Sequence, residues 1–332
     1  MKTTRFFGKL KAFAIVLTAI ALIFAVCACS SDPAGEKPAD PTAAPVENPT
    51  ATPGETANED PSTIPQVVST SDQFTKFDTT IAYVPEECTK IVLKQDASEV
   101  TGQGAVVEGN TVTINTAGSY ILSGTLTDGQ IVVNVEKTEK VRLILNGISV
   151  TNTKSACIYV MSADKVGITM ATGTENTFTD AKTYTELDAK GNPNACIYSK
   201  DDLTINGYGS LTVNANYNNG IGCKNDLSIV TGTVTVKAPN NALKAKESFR
   251  MHDGIVNVTS EDDAVKVDGD DDISKGYIFI EGGTMNLTAA DDALTATFKI
   301  TITGGVVTTK VDGKSLNCLG EVSIAKGSLV EK

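Results

Sequence analysis

Tryptophan is absent, aromatic residues make up only 5% of the chain, and histidine occurs once, at His252. A lone histidine excludes a His-rich zinc site and any pair of histidine general bases. Basic residues are also scarce: 28 Lys and Arg stand against 40 Asp and Glu in 332 residues, a formal net charge of -12. That balance excludes a nucleic-acid binder resting on a basic patch, because a polyanion is repelled. The apolar share of 41% is too high for a wholly disordered chain. It is also too unevenly distributed for a polytopic membrane protein. Length alone allows two domains.

The N-terminus has the features of an export signal. Lys2, Arg5, Lys9 and Lys11 form a basic region, followed by an apolar run of 15 residues from Ala12 to Val26. A membrane span needs about 20 residues, whereas a signal-peptide core is this short. The run ends at Val26-Cys27-Ala28-Cys29, which resembles a bacterial lipobox. Cys29, preceded by the small Ala28, fits as the lipidated residue better than Cys27, preceded by Val26. An ordinary signal peptide with two incidental cysteines is the alternative. Acyl chains on Cys29 would hold the mature protein to the outer face of a membrane, its expected location. Residues 1–28 are thus expected to be a lipoprotein signal peptide. Eight of the eleven prolines then lie between Pro33 and Pro65. So residues 29–68 are expected to be an extended tether, unable to bury enough surface to fold.

The five remaining cysteines, Cys88, Cys157, Cys196, Cys223 and Cys318, are odd in number and have no CxxC metal spacing. Mostly buried free thiols are expected. A Cys157–Cys196 bridge is the one pairing the sequence suggests, because both sit in the string Ala-Cys-Ile-Tyr.

Residues 69–332 are a repeat. Short alternating strands flank a glycine turn again and again. Leu227, Phe249, Ile278, Ile300 and Val322 are separated by 22, 29, 22 and 22 residues. Ile229, Met251, Ile280, Ile302 and Ile324 repeat those steps, as do Val234, Val256, Met285, Val307 and Leu329. A third strand carries Leu243, Val265, Leu294 and Leu316. The longer step contains one insertion, Gly269–Gly276. Leu203, Leu211 and Ile221 continue the columns upstream, and Val141–Ile158 is a further rung. An excursion at about Glu175–Asn194 interrupts the stack. Three alternating strands per coil of about 22 residues predict an all-β chain, a right-handed parallel β-helix. An antiparallel sandwich also has many short strands, but it imposes no constant spacing on equivalent apolar positions. The low aromatic content agrees with a narrow interior of Val, Ile and Leu. Ser69–Asp96 is expected to cap the N-terminal end. Glu321–Lys332 supplies only about half a coil, and that open end is expected to continue in a longer chain or to pair with another.

Chemistry is expected just before the third strand, where each coil carries a polar pair. These are Asn218-Asn219, Asn240-Asn241, Asp262-Asp263 and Asp291-Asp292, spaced like the apolar columns. Stacked asparagines can bond to one another and are expected to be structural. Stacked aspartates repel unless solvated or bridged by a cation. Asp262, Asp263, Asp268, Asp270, Asp271 and Asp272, with Glu261, crowd into twelve residues. Hard carboxylate oxygens are what Ca²⁺ takes. These six aspartates, with Asp291 and Asp292, are therefore the candidate calcium ligands, and a solvated acidic loop is the alternative. Tyr198, Tyr208, Tyr217 and Tyr277 are the few candidates for a sugar platform, and each is expected to be a packed or turn residue.

The lipobox, the Pro-rich tether, Glu175–Asp180 (ENTFTD), Cys196–Val213 (CIYSKDDLTINGYGSLTV) and Lys275–Thr284 (KGYIFIEGGT) resemble a family of bacterial carbohydrate-binding lipoproteins. The resemblance runs from about Thr79 to the C-terminus. It implies a β-helix like that of pectate lyases, bound calcium, and binding of cellulose and polygalacturonate. The family's Asp-Asp-Gly/Ala pattern is kept at Asp262-Asp263-Ala264 and Asp291-Asp292-Ala293. It is lost at Asn219, at Asn241 and at Gly313-Lys314-Ser315. The expected function is thus cell-surface binding of an acidic polysaccharide, with membrane attachment through the lipid alone. Two rivals stand beside it. A calcium-dependent uronate lyase would need a base, for which Lys244 and Lys266 are the candidates. Beside several carboxylates their pKa values should instead be raised, making them simple counter-charges. Asp263 and Asp292 could alternatively pair for glycoside hydrolysis. The other rival is a structural adhesin whose ladder only stabilises the solenoid.

Overall fold

The computed structural model describes residues 67–332 apart from residues 70, 270 and 271. The signal segment, Cys29 and most of the tether lie outside the described residues, as do Asp270 and Asp271.

Three strands per coil build three parallel ladders. The first runs through Lys165–Met170, Asp202–Gly207, Asp226–Ile229, Ser248–Met251, Tyr277–Ile280, Lys299–Ile302 and Glu321–Ile324. The second runs through Glu175–Thr179, Ser210–Asn214, Thr233–Ala238, Ile255–Ser260, Thr284–Ala289, Val306–Val311 and Leu329–Glu331. The third runs from Gln130–Asn134 through Ile158–Ser162, Ala195–Ser199, Asn219–Cys223, Leu243–Ala245, Val265–Val267 and Leu294–Ala296 to Leu316–Cys318. The molecule is a parallel β-helix.

The register follows the arithmetic of the sequence. Leu227, Phe249, Ile278, Ile300 and Val322 are consecutive partners. So are Val234, Val256, Met285, Val307 and Leu329. Alternation sends every second side chain inward, and the stacked rungs seal one continuous apolar column no single coil could close. Glycine makes the corner between the first two strands. Gly207, Gly232 and Gly254 have φ of +105°, +89° and +94°, a region disfavoured for other residues. They also stack: a Cβ on Gly254 would lie 2.5 Å from the carbonyl oxygen of Gly232. The insertion in the long step is pinched at its base, because a Cβ on Gly269 would lie 2.6 Å from the Cα of Gly276.

Two expectations need correction. The excursion begins later than Glu175, since Glu175–Thr179 pairs in the second ladder with Ser149–Thr151 on one side and Ser210–Asn214 on the other. What leaves the stack is residues 180–194. Asp180 anchors this loop by accepting from the Asn216 N–H (2.5 Å) and the Tyr184 hydroxyl (2.6 Å), and the Tyr184 ring stacks on Tyr217 at 4.1 Å. Burial pushes the Asp180 carboxyl above the ordinary value of 3.8, outweighing the hydrogen bonds from Tyr184, Asn216 and Tyr217. An aspartate raised on folding contributes stability below its unfolded pKa and loses it as pH rises through the folded value. Asp180→Asn removes the charge while the Tyr184 hydroxyl can still donate to the Ala195 carbonyl (3.1 Å). Thermal melts at a series of pH values should therefore show the variant gaining on the wild type as pH rises from about 4 to 7.

The second correction concerns the N-terminal segment. The end of the solenoid is closed by antiparallel pairs, Thr89–Leu93 with Glu99–Thr101 and Ala105–Glu108 with Thr111–Ile114. The segment before Thr89 does not sit over that end. It forms a strap along the outer face of the first ladder. Ser69 and Ser71 donate to Glu281, and Gln73 takes hydrogen bonds from Arg250 and Tyr277. Asp78 meets Lys165 and Thr204, and the Thr80 carbonyl accepts from Arg142 at 2.6 Å. The strap thus runs backward across successive coils. A short helix, Lys76–Thr79, forms within it because Thr75 and Asp78 cap each other's backbone. Phe77 fits under the Arg142 guanidinium (4.5 Å) over Gly167, where a Cβ would lie 3.1 Å from the Phe77 ring.

The five cysteines among the described residues are free thiols. Cys157 and Cys196 are buried neighbours with sulfurs 3.8 Å apart, and burial raises the Cys196 thiol well above its ordinary pKa. At the far end the last coil leaves Leu319, Val322 and Val330 exposed.

Candidate functional site

The polar pairs stand on one edge, where each coil turns into its third strand. The Asn241 amide donates to the Asn219 side-chain oxygen at 3.2 Å, Asn240 donates to Asn218 at 2.5 Å, and Asn219 donates to the Asn194 carbonyl at 2.9 Å. The asparagine rungs are therefore an amide ladder bonded from coil to coil. Register carries the column on to Asp263 and Asp292. Ala242 N–H donates to the Asp263 carbonyl and Ala264 N–H to the Asp292 carbonyl.

The change from amide to carboxylate leaves an electrostatic discontinuity. The Asn241 Nδ2 is spent on Asn219 and on Asn240 (3.0 Å), and its Oδ1 is buried without a hydrogen-bond partner. The next residue up the column is Asp263, whose carboxylate can only accept. Asp262, Asp263 and Asp291 each bring one carboxylate oxygen within 4.8 Å of the others. The negative charge of Asp292, then desolvation and the charges of Asp263 and Asp262, push the Asp291 carboxyl above its ordinary value.

The remaining candidate ligands have other partners. Asp292 accepts from the Lys314 N–H at 2.6 Å and from Asn317 Nδ2 at 2.5 Å, so its oxygens serve the next coil. Asp268 is paired with Lys244 at 3.0 Å. Asp272 closes its own turn by accepting from the N–H and hydroxyl of Ser274. Asp263 itself accepts from the Asp292 N–H at 3.1 Å and from Lys266 Nζ at 2.9 Å. Partial burial pulls the Lys266 ammonium down, but the hydrogen bond and charge of Asp263 and the charges of Asp262 and Asp268 outweigh it and hold it above the ordinary lysine value. Both lysines are thus counter-charges. Of the four tyrosines, Tyr198 is buried with its hydroxyl on Asn192 (2.5 Å), Tyr217 stacks on Tyr184, and Tyr277 bonds Gln73 at 3.2 Å.

A family model described as "Carbohydrate-binding domain-containing protein" matches residues 108–329. A protein of that description from Acetivibrio thermocellus is 46% identical over 242 residues, covering 72% of this chain and 85% of that protein. The solved structure of a polysaccharide lyase-like protein from C. thermocellum, a gadolinium derivative, superposes with a TM-score of 0.72 at 44% identity. It covers 74% of this chain and 100% of the solved one. The chain belongs to the carbohydrate-binding domain-containing protein family.

Proposed function

We propose that this protein binds an acidic cell-wall polysaccharide of the polygalacturonate type through a calcium ion held at Asp262, Asp263 and Asp291. The observation that carries the reading is the convergence of three carboxylate oxygens, from Asp262, Asp263 and Asp291, within 4.8 Å of one another. Calcium takes six to eight oxygens, so three protein carboxylates leave positions for a uronate carboxylate and water. The cation also resolves a conflict of sign. A chain of net charge -12 repels a polyuronate, and a bound divalent ion reverses the local field. Cellulose is the less favoured ligand, because no broad aromatic platform is presented by the tyrosines described above. The raised Lys266 pKa disfavours that residue as the base of a lyase.

Binding to insoluble polygalacturonate should be strong with calcium and fall sharply with chelator, and no unsaturated product absorbing in the ultraviolet should be released. Release of that product would replace the binding reading with the lyase. Retention that chelator leaves unchanged would remove the calcium ion from it. The same proposal places the domain on the outer face of the cell membrane through lipid on Cys29. Incorporation of labelled fatty acid should then be lost in Cys29→Ser.

A further inference from the structure

One corner of the solenoid carries an extra residue. Asn214 of the second ladder pairs with Lys237, 23 positions on, whereas Ile221 of the third pairs with Leu243, 22 positions on. On the next two coils the steps agree. They are 22 from Ala238 to Ser260 and from Leu243 to Val265, then 29 from Ser260 to Ala289 and from Val265 to Leu294. The corner before Asn219 is therefore one residue longer than its successors. Asn216-Tyr217-Asn218 stands where they have Pro239-Asn240, Glu261-Asp262 and Ala290-Asp291. Asn240 bonds Asn218, so Asn218 keeps its place in the column and Tyr217 is the inserted residue.

The inserted ring is held from behind. Tyr184, from the loop of residues 180–194, is buried and stacks on Tyr217 with ring centroids 4.1 Å apart and planes 16° apart. Its hydroxyl is fixed between Asp180 at 2.6 Å and the Ala195 carbonyl at 3.1 Å. Asp180 holds the corner as well, because it accepts from the Asn216 N–H and the Asn216 Nδ2 donates to its carbonyl at 2.8 Å. Tyr184 is thus the inner ring of the stack, and Tyr217, which is partly exposed, is the outer one. This outer ring stands on the edge that carries the aspartates. Asn218, Asn240, Asp262 and Asp291 follow it one per coil, and none of the four is buried. Coils stack about 4.8 Å apart, which puts Tyr217 roughly 10 Å from Asp262 along the solenoid. Its neighbours Asn216, Asn218 and Asn240 are uncharged, so the edge grades from an aromatic, neutral end to an acidic one.

We infer that Tyr217 is a stacking subsite for one pyranose ring of the bound polysaccharide, two coils from the aspartates on the same edge. A pyranose ring has an apolar C–H face and a polar rim. The tyrosine ring matches the face, and the side-chain amides of Asn218 and Asn240 lie beside it for the hydroxyls of the rim. Because Tyr184 and Asp180 already fix the ring, little ordering cost remains to be met on binding. A single ring has room for one sugar unit and not for the flat surface of cellulose. The inference rests on the polysaccharide reading but not on calcium, because stacking needs no charge.

The test is titration calorimetry of the full protein with hexagalacturonate, in calcium and in chelator, on wild type, Tyr217→Leu and Tyr217→Phe. Leucine keeps an apolar cover over Tyr184 without a flat face, and phenylalanine keeps the ring without the hydroxyl. Affinity in calcium should fall about tenfold in Tyr217→Leu and stay near the wild-type value in Tyr217→Phe. The rise in melting temperature that calcium confers without sugar should be the same in all three proteins. Hexamer binding unchanged in Tyr217→Leu would overturn the subsite while the calcium reading stands. A loss in Tyr217→Phe equal to that in Tyr217→Leu would assign the effect to the hydroxyl and overturn the stacking. Weaker binding in Tyr217→Leu that comes with a lower melting temperature and a smaller calcium gain would mark a structural residue and overturn the subsite. Binding insensitive to chelator but weakened in Tyr217→Leu alone would keep the subsite and overturn the calcium site. Absence of hexamer binding by the wild type would overturn both.

Discussion

Asp78→Ala is expected to destabilise the protein by about 3–5 kcal/mol, the usual cost of removing one partner from a buried ion pair. Asp78 is fully buried between the strap and the first ladder. It binds Lys165 Nζ at 3.1 Å, accepts from the Thr204 hydroxyl at 2.5 Å, and caps the strap helix through Thr75. The alanine variant leaves Lys165, itself buried, with only Asp202 at 3.4 Å. Removing both charges in Asp78→Ala/Lys165→Met should recover part of the loss, because the uncompensated ion is then gone. Burial raises the Asp78 carboxyl, but the Lys165 charge and the bonds from Thr204 and Thr75 outweigh it and set it below its ordinary 3.8. A carboxyl depressed on folding contributes stability that is complete above the unfolded pKa and is lost as pH falls through the folded one. The wild type should therefore lose this contribution only below about pH 4, and the variant should not. Chemical denaturation measures the first effect, and hydrogen exchange localises it. Amides of residues 69–87 should lose protection before those of the inner coils. A variant with unchanged stability and unchanged strap protection would contradict this account.

The strap and the ladders differ in how far the sequence reveals them. The apolar columns were legible because stacking forces inward residues to recur at the coil length, so Leu227, Phe249 and Ile278 reveal their pairing by subtraction alone. The strap carries no such period. Its bonds join residues far apart in the chain, such as Asp78 with Thr204 and Gln73 with Arg250, and nothing in the local pattern announces them. The polar residues Thr169, Thr204, Asn206 and Arg250 of the first ladder are buried. The same contrast holds at the site. Asp262, Asp263 and Asp291 share an edge because they occupy the repeat, whereas Asp268 and Asp272 were drawn in by local acidic density. Density says nothing of direction, and those two carboxylates turn to Lys244 and Ser274. Asp292 occupies the repeat but is drawn upward by Lys314 N–H and Asn317, donors supplied by a coil that has lost the Asp-Asp pattern.

On the calcium proposal, Asp263→Ala should abolish the rise in stability that calcium confers and also lower the stability of the metal-free protein. The two parts separate by chelation. Without metal, the variant loses the acceptor of the Asp292 N–H and the partner of Lys266. Lys266 is partly exposed and can turn to water, so the main cost is the buried N–H, about 1–3 kcal/mol. With calcium at 100 times its dissociation constant, the wild type should gain about 2.7 kcal/mol more, because the ion binds only the folded edge. Asp263→Asn separates charge from shape. Its amide can keep an acceptor on the Asp292 N–H, yet it removes one of three converging charges and continues the asparagine ladder upward. Its metal-free stability should stay near that of the wild type, while its calcium-dependent gain in denaturation experiments should be lost. A calcium gain that survives in both variants would mean that the ion, if bound, sits elsewhere than on the Asp262–Asp263–Asp291 edge. Equal stability of wild type with and without calcium would show that like charges on this edge are held apart by water and by Lys266 alone.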